Sequence, residues 1–173
     1  LKGHFVFDVL RGAPADVAWT DERRVLPQHL LPGAVYLVDR GYCSFELFNA
    51  FRATGASFVA RLPERVTWRA VETRTLTDED CAAGVLSDAG VDLGHDPKTS
   101  LRLRVVRARR TSPSPRNLHP LHKRGKHTAY EREALEQEWV LVTDRLDVSA
   151  CVVVALYGHR WQIEIFFRWF KTT

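Results

Sequence analysis

The sequence predicts an α/β fold whose sheet is at least partly parallel. Two short apolar runs, residues 34–38 and 57–62, flank a segment at 44–54 whose apolar residues recur at helical spacing. A strand, a helix and a second strand in this order form a βαβ unit, which makes the two strands parallel. The run at 101–109 indicates further β-structure, and residues 149–171 indicate a long, mostly apolar terminal helix.

One strand and one turn are predicted before the βαβ unit. Residues 4–10 alternate between apolar and polar positions as a strand does, and residues 11–14 hold the glycine and proline typical of a turn. Residues 19–31 are interpreted as helical or irregular, up to the break at Pro32-Gly33.

The βαβ unit carries its own end signals and one candidate functional residue. Ser44 is a candidate N-cap of the helix, and Gly55 is suited to its C-terminal end. Asp39 directly follows the first apolar strand, where open α/β sheets usually bind their ligands. An Asp at this place also caps turns, so Asp39 alone leaves both roles open.

Residues 65–138 are predicted to form a β-rich insertion. Strand-like runs at 66–76 and 101–109 are separated by turn signals that include Gly84, Gly90 and Gly94. A flexible basic loop is predicted to follow, and a last strand at 139–143 then precedes the terminal helix.

Composition excludes several classes of protein. With 45% hydrophobic and 27% charged residues, the 173-residue chain has the make-up of one globular domain. Three cysteines without a Cys-x2-Cys pair argue against a disulfide scaffold and a cysteine zinc site. The histidines His119, His122 and His127 have no cysteine or carboxylate among them, so zinc is not expected there.

The chain is predicted to be cytoplasmic and without a membrane partner. Its longest apolar stretch, residues 150–157, is about a third of a membrane span, and the N-terminus lacks the layout of a signal peptide. The sequence contains no methionine, and we expect it to be a piece of a longer protein.

Positive charge is concentrated in one segment. The 25 basic and 21 acidic residues give a net charge of +4, but residues 98–126 hold ten basic residues and no acidic one. The remainder of the chain therefore carries 15 − 21 = −6. This asymmetry is typical of a protein that binds a polyanion, although a solvated basic loop would show the same pattern.

The terminal helix is the most informative segment. At 100° per residue, five of its polar side chains fall within about 80° of one another, and the helix is apolar around most of the rest of its surface. The stripe consists of Tyr157, Arg160, Glu164, Arg168 and Lys171. One carboxylate among cations on such a helix is either part of a salt-bridge ladder or a metal-binding acid beside phosphate-binding groups.

These residues resemble a known family. The spacing Tyr157-x2-Arg160-x3-Glu164-x6-Lys171 is similar to the Tyr-Arg-Glu-Lys signature of bacterial insertion-sequence transposases, which carry an Asp-Asp-Glu catalytic triad. Residues 39–42, Asp-Arg-Gly-Tyr, followed by 58–61, Phe-Val-Ala-Arg, resemble the second-Asp motif of that family. Trp139 and Thr143 stand ahead of the signature helix as in its members.

The resemblance implies a fold and a division of the chain. The fold would be ribonuclease H-like, a mixed sheet flanked by helices, with a β-rich insertion before the last catalytic helix. Residues 1–64 would be the first part of the catalytic core, residues 65–138 the insertion with its basic loop, and residues 139–173 the last strand and signature helix. The fold is expected to be incomplete at both ends.

The resemblance also implies an activity, DNA transposition by metal-dependent phosphodiester cleavage and strand transfer. Asp39 and Glu164 would be catalytic and would bind Mg²⁺, for which Mn²⁺ can substitute. Tyr157, Arg160 and Lys171 would hold phosphates of the DNA. The partners would be transposon-end and target DNA and, in the DNA complex, a second copy of the protein, which would then be associated with the nucleoid.

Two implied DNA-binding residues have alternative roles. Trp139 matches a position at which relatives stack a tryptophan on a flipped base, but it would serve equally as a core residue. Arg61 is either a DNA contact or an ordinary charge at the end of a strand.

The sequence departs from the family at the first catalytic Asp. That residue is expected on a strand upstream of residues 4–10, and Asp8 is the nearest substitute. We therefore expect this chain to be inactive alone. A nucleic-acid-binding remnant without activity, or a stand-alone nuclease of similar fold, are the alternative functions.

Overall fold

The computed structural model describes residues 2–8, 11–20, 30–94, 100–110, 138–163 and 165. The strands and helices of these residues are, in chain order, β1 (Lys2–Asp8), β2 (Ala13–Thr20), β3 (Val35–Val38), α1 (Phe45–Thr54), β4 (Ser57–Arg61), β5 (Trp68–Thr73), α2 (Asp78–Ala82), β6 (Val85–Leu93), β7 (Leu101–Arg109), β8 (Glu138–Thr143) and α3 (Ala150–Gly158).

A six-stranded mixed sheet forms the centre of the structure, with the order β3-β4-β8-β7-β6-β5. Strands β3 and β4 are parallel, as the βαβ prediction requires, and the other neighbours are antiparallel. The β-structure predicted within residues 65–138 thus continues the same sheet. Strands β1 and β2 form a separate antiparallel pair. This α/β arrangement is compatible with a ribonuclease H-like fold.

Helix α1 has the ends that its sequence predicts. The Ser44 hydroxyl accepts a hydrogen bond from the Leu47 N–H at 3.2 Å, and Gly55 closes the helix in the left-handed region at φ 69°. The helix packs its apolar side on one face of the sheet, where the Phe48 and Phe58 rings stack with centroids 4.5 Å apart.

A second core lies on the opposite face of the sheet, beneath α3. Val59, Val106 and Leu141 line the strands there, and Val153 and Tyr157 of α3 pack against them. All five residues are at most 2% exposed. We call this side of the sheet the α3 face.

The N-terminal turn prediction is wrong at its end. Ala13 and Pro14 belong to β2, which also includes Trp19, a residue interpreted as helical or irregular. The pairing of β1 with β2 shifts register between Val6 and Phe7. Proline is tolerated at such an irregularity, because its missing N–H removes no regular ladder hydrogen bond.

Strand β6 was not predicted, because Gly90 was interpreted as a turn. Gly90 instead lies inside β6, opposite a register shift in β5, and a Cβ at this position would lie 3.3 Å from the Glu72 Cβ. The real turns flank the strand at Gly84 and Gly94, whose φ angles are 82° and 110°. The short helix α2 was also missed.

Ion pairs within the sheet neutralise part of the basic segment. Five of its ten cations lie in the described stretch 100–110. Three of these five pair with carboxylates of neighbouring strands. The pairs are Arg102–Asp92 at 2.7 Å, Arg104–Asp88 at 2.6 Å and Arg107–Glu138 at 2.7 Å. The local charge count therefore overstates the surface open to a polyanion. Residues 111–126, with His119 and His122, lie outside the described residues, as does His127.

Buried polar groups fix the start of α3. Arg104 is 1% exposed and donates from Nη1 to the carbonyls of Arg145 and Val148, at 3.0 and 2.7 Å. Asp80 accepts from the N–H of Cys151, in the first turn of α3, at 2.7 Å. Burial raises the pKa of Asp80, but its hydrogen bonds outweigh this and hold that pKa below the ordinary value.

No helix among the described residues is long and apolar enough to cross a membrane.

Candidate functional site

Strand alternation brings three predicted site residues to one face of the sheet. Side chains two positions apart share a face, so Arg61 lies on the side of Val59, and Trp139 on the side of Leu141. Asp39 lies two positions after Leu37, and Leu37 packs against the core on this same α3 face. Since β3 and β4 are parallel and β8 is antiparallel to β4, all three lie at one edge of the sheet.

Asp39 both caps a turn and presents a carboxylate oxygen. Its Oδ1 accepts from the Arg40 N–H at 2.8 Å and so starts the 3-10 turn Arg40–Tyr42. Its Oδ2 lies 3.9 Å from Nη1 of Arg160, and the side chain is 55% exposed. The two roles left open by the sequence are therefore compatible, because each uses a different oxygen.

Tyr157 is the buried centre of this edge. It is 2% exposed, and its hydroxyl has no hydrogen-bond partner among the described residues. Burial raises its pKa well above the ordinary tyrosine value; Asp39 raises it further, while Arg160 acts in the opposite direction. The hydroxyl is therefore protonated at neutral pH and can donate a hydrogen bond.

The predicted long terminal helix is interrupted after Gly158. Helix α3 ends at Gly158, and the bonds Arg160 N–H to Tyr157 O and Ile163 N–H to Arg160 O, at 3.0 and 3.2 Å, span three residues instead of four. Residues three apart nearly eclipse one another in such a tight turn. Arg160 accordingly sits over the Tyr157 ring, with Cζ 5.6 Å from the centroid.

Trp139 supports Tyr157 from the sheet. Its side chain is 8% exposed, and the two rings meet edge to face with centroids 5.3 Å apart. In the structure Trp139 is thus part of the α3-side core.

Arg61 lies among other cations. Burial lowers its pKa, and the charges of Arg40 and Arg110 lower it further, whereas Tyr157 and Asp39 oppose them. The Sγ of Cys43 donates to the Arg61 carbonyl at 3.0 Å and ties the end of β4 to the turn after β3.

Two site residues were not singled out from the sequence. Arg40 follows Asp39 directly, and its Nη1 lies 3.5 Å from Glu64 Oε1 beside an open depression that Arg40 and Glu64 both line. Arg110 follows β7 and reaches the surroundings of Arg61. Strand alternation was the available signal for Arg110, since it continues the pattern of apolar residues along β7.

Only one of the two residues expected to bind a metal lies among the described residues. Among the described residues, no group of three or more His, Cys, Asp or Glu side chains is placed to hold a metal ion. Asp39 fits one ligand of a hard divalent cation, because it is an exposed carboxylate. Glu164 and Lys171 lie outside the described residues.

Comparisons with known proteins agree with this arrangement. The family model described as "Transposase DDE domain" matches residues 1–173. A curated relative, "Putative transposase y4zB" of Sinorhizobium fredii (strain NBRC 101917 / NGR234), is 30% identical over 142 residues. The match covers 80% of this chain and 33% of the relative, so the chain spans about a third of that protein's length.

Proposed function

Because this chain belongs to the family of transposase DDE domains, we propose that it is part of a catalytic domain that cuts and joins DNA at transposon ends. The observation that best supports this is the convergence of Asp39, Arg61, Tyr157 and Arg160 at one edge of the sheet. A carboxylate beside guanidinium groups and a protonated phenol suits a phosphodiester, whose charge must be held while a metal-dependent step proceeds.

In this proposal the cations and the phenol hold DNA phosphates. Arginine can bind two phosphate oxygens at once, so Arg61 and Arg160 fix orientation as well as charge. The Tyr157 hydroxyl is buried and has no partner among the described residues, so it would donate to a third oxygen once DNA binding opens a path to it. Lys171 belongs to the same proposed set through the Tyr-Arg-Glu-Lys signature.

Asp39 and Glu164 are the proposed metal ligands. Mg²⁺, or Mn²⁺ in its place, would activate the attacking oxygen and stabilise the leaving one. The Oδ2 atom of Asp39 is the oxygen suited to this task, because Oδ1 already caps the 3-10 turn.

The reaction has two parts. In cleavage, a water oxygen bonds to phosphorus and the bond to the 3′ oxygen breaks, which leaves a 3′ hydroxyl and a 5′ phosphate. In strand transfer, that 3′ hydroxyl attacks a phosphodiester of target DNA and displaces its 3′ oxygen. The residues of this chain contribute position and charge compensation, and a second copy of the protein is proposed to join the DNA complex.

Trp139 is proposed to stack on an extruded base, but only after its side chain has moved. Stacking on an extruded base contributes about 1–3 kcal/mol. Trp139 would first have to leave its edge-to-face contact with Tyr157. Base stacking by Trp139 therefore requires a rearrangement of the α3-side core when DNA binds.

The proposal is tested by nicking of supercoiled plasmid in Mn²⁺ by the full-length protein, unchanged and with Asp39→Asn or Glu164→Gln, since the 173-residue chain is expected to be inactive alone. Asp92→Asn is the matched control, since it removes an equal charge from β6. We expect loss of nicking in the two site variants only; nicking retained in both would refute the site.

A second readout does not require turnover. Mn²⁺ bound in the presence of DNA is measured by electron paramagnetic resonance. We expect bound Mn²⁺ with the unchanged chain and with Asp92→Asn, and much less with Asp39→Asn. Equal Mn²⁺ binding by all three proteins would contradict the assignment of Asp39.

A further inference from the structure

We propose that Arg110 is a further DNA-binding residue, which holds a backbone phosphate together with Arg40 and Arg61. This inference rests on the proposed function, because it takes DNA as the ligand. It adds to the site the residue that directly follows β7, outside both the second-Asp motif and the Tyr-Arg-Glu-Lys signature.

Strand geometry places Arg110 on the required face. Val106 and Ala108 of β7 both belong to the core beneath α3, and Arg110 continues their alternation. In the same way Arg61 continues from Val59 in β4, which lies two strands away across β8.

Strand direction places Arg110 at the required edge. Strands β4 and β7 are each antiparallel to β8, so they run in the same direction and end on the same side. Ala108 is the direct partner of Trp139. Arg110 therefore extends beyond Trp139, at the edge where Arg61 and Asp39 end their strands.

The electrostatics of Arg110 differ from those of three of the four arginines in β7. Arg102, Arg104 and Arg107 each pair with a carboxylate. Arg110 has no such partner among the described residues, and its Nε is buried there without a hydrogen-bond acceptor. Its charge also helps to lower the pKa of Arg61.

Like charges brought together in this way repel, and a polyanion relieves the repulsion. Nearby cations at one edge bind a phosphate oxygen more strongly than the same cations spread over a surface, because their fields add. A DNA backbone phosphate is the occupant that fits, since the chain belongs to a family that acts on DNA.

The test is DNA binding without metal. The 173-residue chain is titrated onto a fluorescent 30-base-pair duplex in EDTA, at several salt concentrations, as wild type, Arg110→Gln and Arg102→Gln. Arg102 is the matched control, because it lies near the opposite end of β7, about 26 Å from Arg110, and its substitution removes the same charge. Each phosphate contact contributes about 0.9 to the slope of log affinity against log salt.

We expect the slope to fall by about 0.9 for Arg110→Gln and to stay unchanged for Arg102→Gln. An unchanged slope for Arg110→Gln, or an equal fall in both variants, would overturn the proposal. If Arg110→Gln does not fold, phenylglyoxal modification of the wild-type chain decides instead. DNA should protect Arg110, and modification at the free-chain rate would overturn the proposal.

Thermal unfolding separates binding from a structural role. Removal of a repelled cation should leave the melting temperature of the free chain unchanged or higher, and Arg110→Lys should restore the salt slope. A lowered melting temperature with an unchanged slope would show a structural residue. Failure of the proposed function would give a different result: nicking or Mn²⁺ binding would be unaltered in Asp39→Asn, independently of the result for Arg110→Gln.

Discussion

The buried ion pair between Arg104 and Asp88 should control the stability of the chain, and Arg104→Met is the change that tests it. The Arg104 side chain is 1% exposed and that of Asp88 is 4% exposed. The contact is bidentate, with Nε–Oδ1 at 2.8 Å and Nη2–Oδ2 at 2.6 Å. Nη1 also donates to the carbonyls of Arg145 and Val148.

The expected loss is large because Arg104→Met leaves a buried charge behind. Among the described residues, the Asp88 carboxylate would retain only the longer contact to Arg74, whose Nε lies 3.7 Å from Oδ2. Breaking a buried pair by removing one partner costs about 3–5 kcal/mol. With a urea m-value of about 2 kcal/mol per molar, the midpoint should fall by about 1.5–2.5 M.

Urea unfolding of the purified chain, followed by tryptophan fluorescence, measures this change. The control is Arg102→Met, since Arg102 is 63% exposed in its ion pair and should change stability by at most about 1 kcal/mol. The double variant Arg104→Met/Asp88→Leu should recover part of the loss, because it removes the unpaired charge.

A loss below about 1 kcal/mol in Arg104→Met, or no recovery in the double variant, would refute the reasoning. The same variant should also weaken DNA binding. Arg104 holds the 145–148 segment that leads into α3, and α3 carries Tyr157.

Three further predictions follow from single contacts. Tyr157→Phe removes a buried hydroxyl without a described partner, so it should raise the free energy of unfolding by about 1 kcal/mol while weakening duplex binding; a loss of stability would contradict this. The folded-state pKa of Asp80 is lowered, so its contribution to stability is present above about pH 4 and is lost as the pH falls through that folded pKa. Between pH 6 and 3, the free energy of unfolding measured in urea should therefore change less with pH in Asp80→Asn than in the wild type. Equal pH dependence in the two proteins would argue against this linkage. Ser44→Ala removes the hydrogen bond that caps the Leu47 N–H, so it should lower the free energy of unfolding measured in urea by about 1 kcal/mol without changing DNA affinity. An unchanged free energy of unfolding would show that the cap is not stabilising.

Local signals predicted the βαβ unit well. Ser44, the helical spacing of the apolar residues after it, and Gly55 are all read from adjacent positions, and the structure confirms each of them. Strand β6 was missed for the opposite reason. Gly90 has the sequence signal of a turn, but its place is set by Glu72 on the neighbouring strand.

The sequence allowed most residues of the candidate site to be identified, but it did not show how they are arranged in space. Asp39, Tyr157 and Arg160 stood out through motif spacing, whereas Arg110 did not, because its neighbours at the edge come from strands far apart in the chain. The basic segment shows the same limit. Its charge is visible in the sequence, but the cross-strand carboxylates that neutralise Arg102 and Arg104 are not.

The sequence by itself determined the family, the α/β class, the parallel βαβ unit and the ends of α1. Periodicity, capping residues and motif spacing are local quantities, since each depends on residues that are close along the chain. Only the tertiary structure decided the order of the six strands and the partners of the β7 arginines. It also decided that β3, β4 and β7 all end at the same edge of the sheet. Those features depend on which strands pair, and pairing is decided by burial of two opposite faces at once.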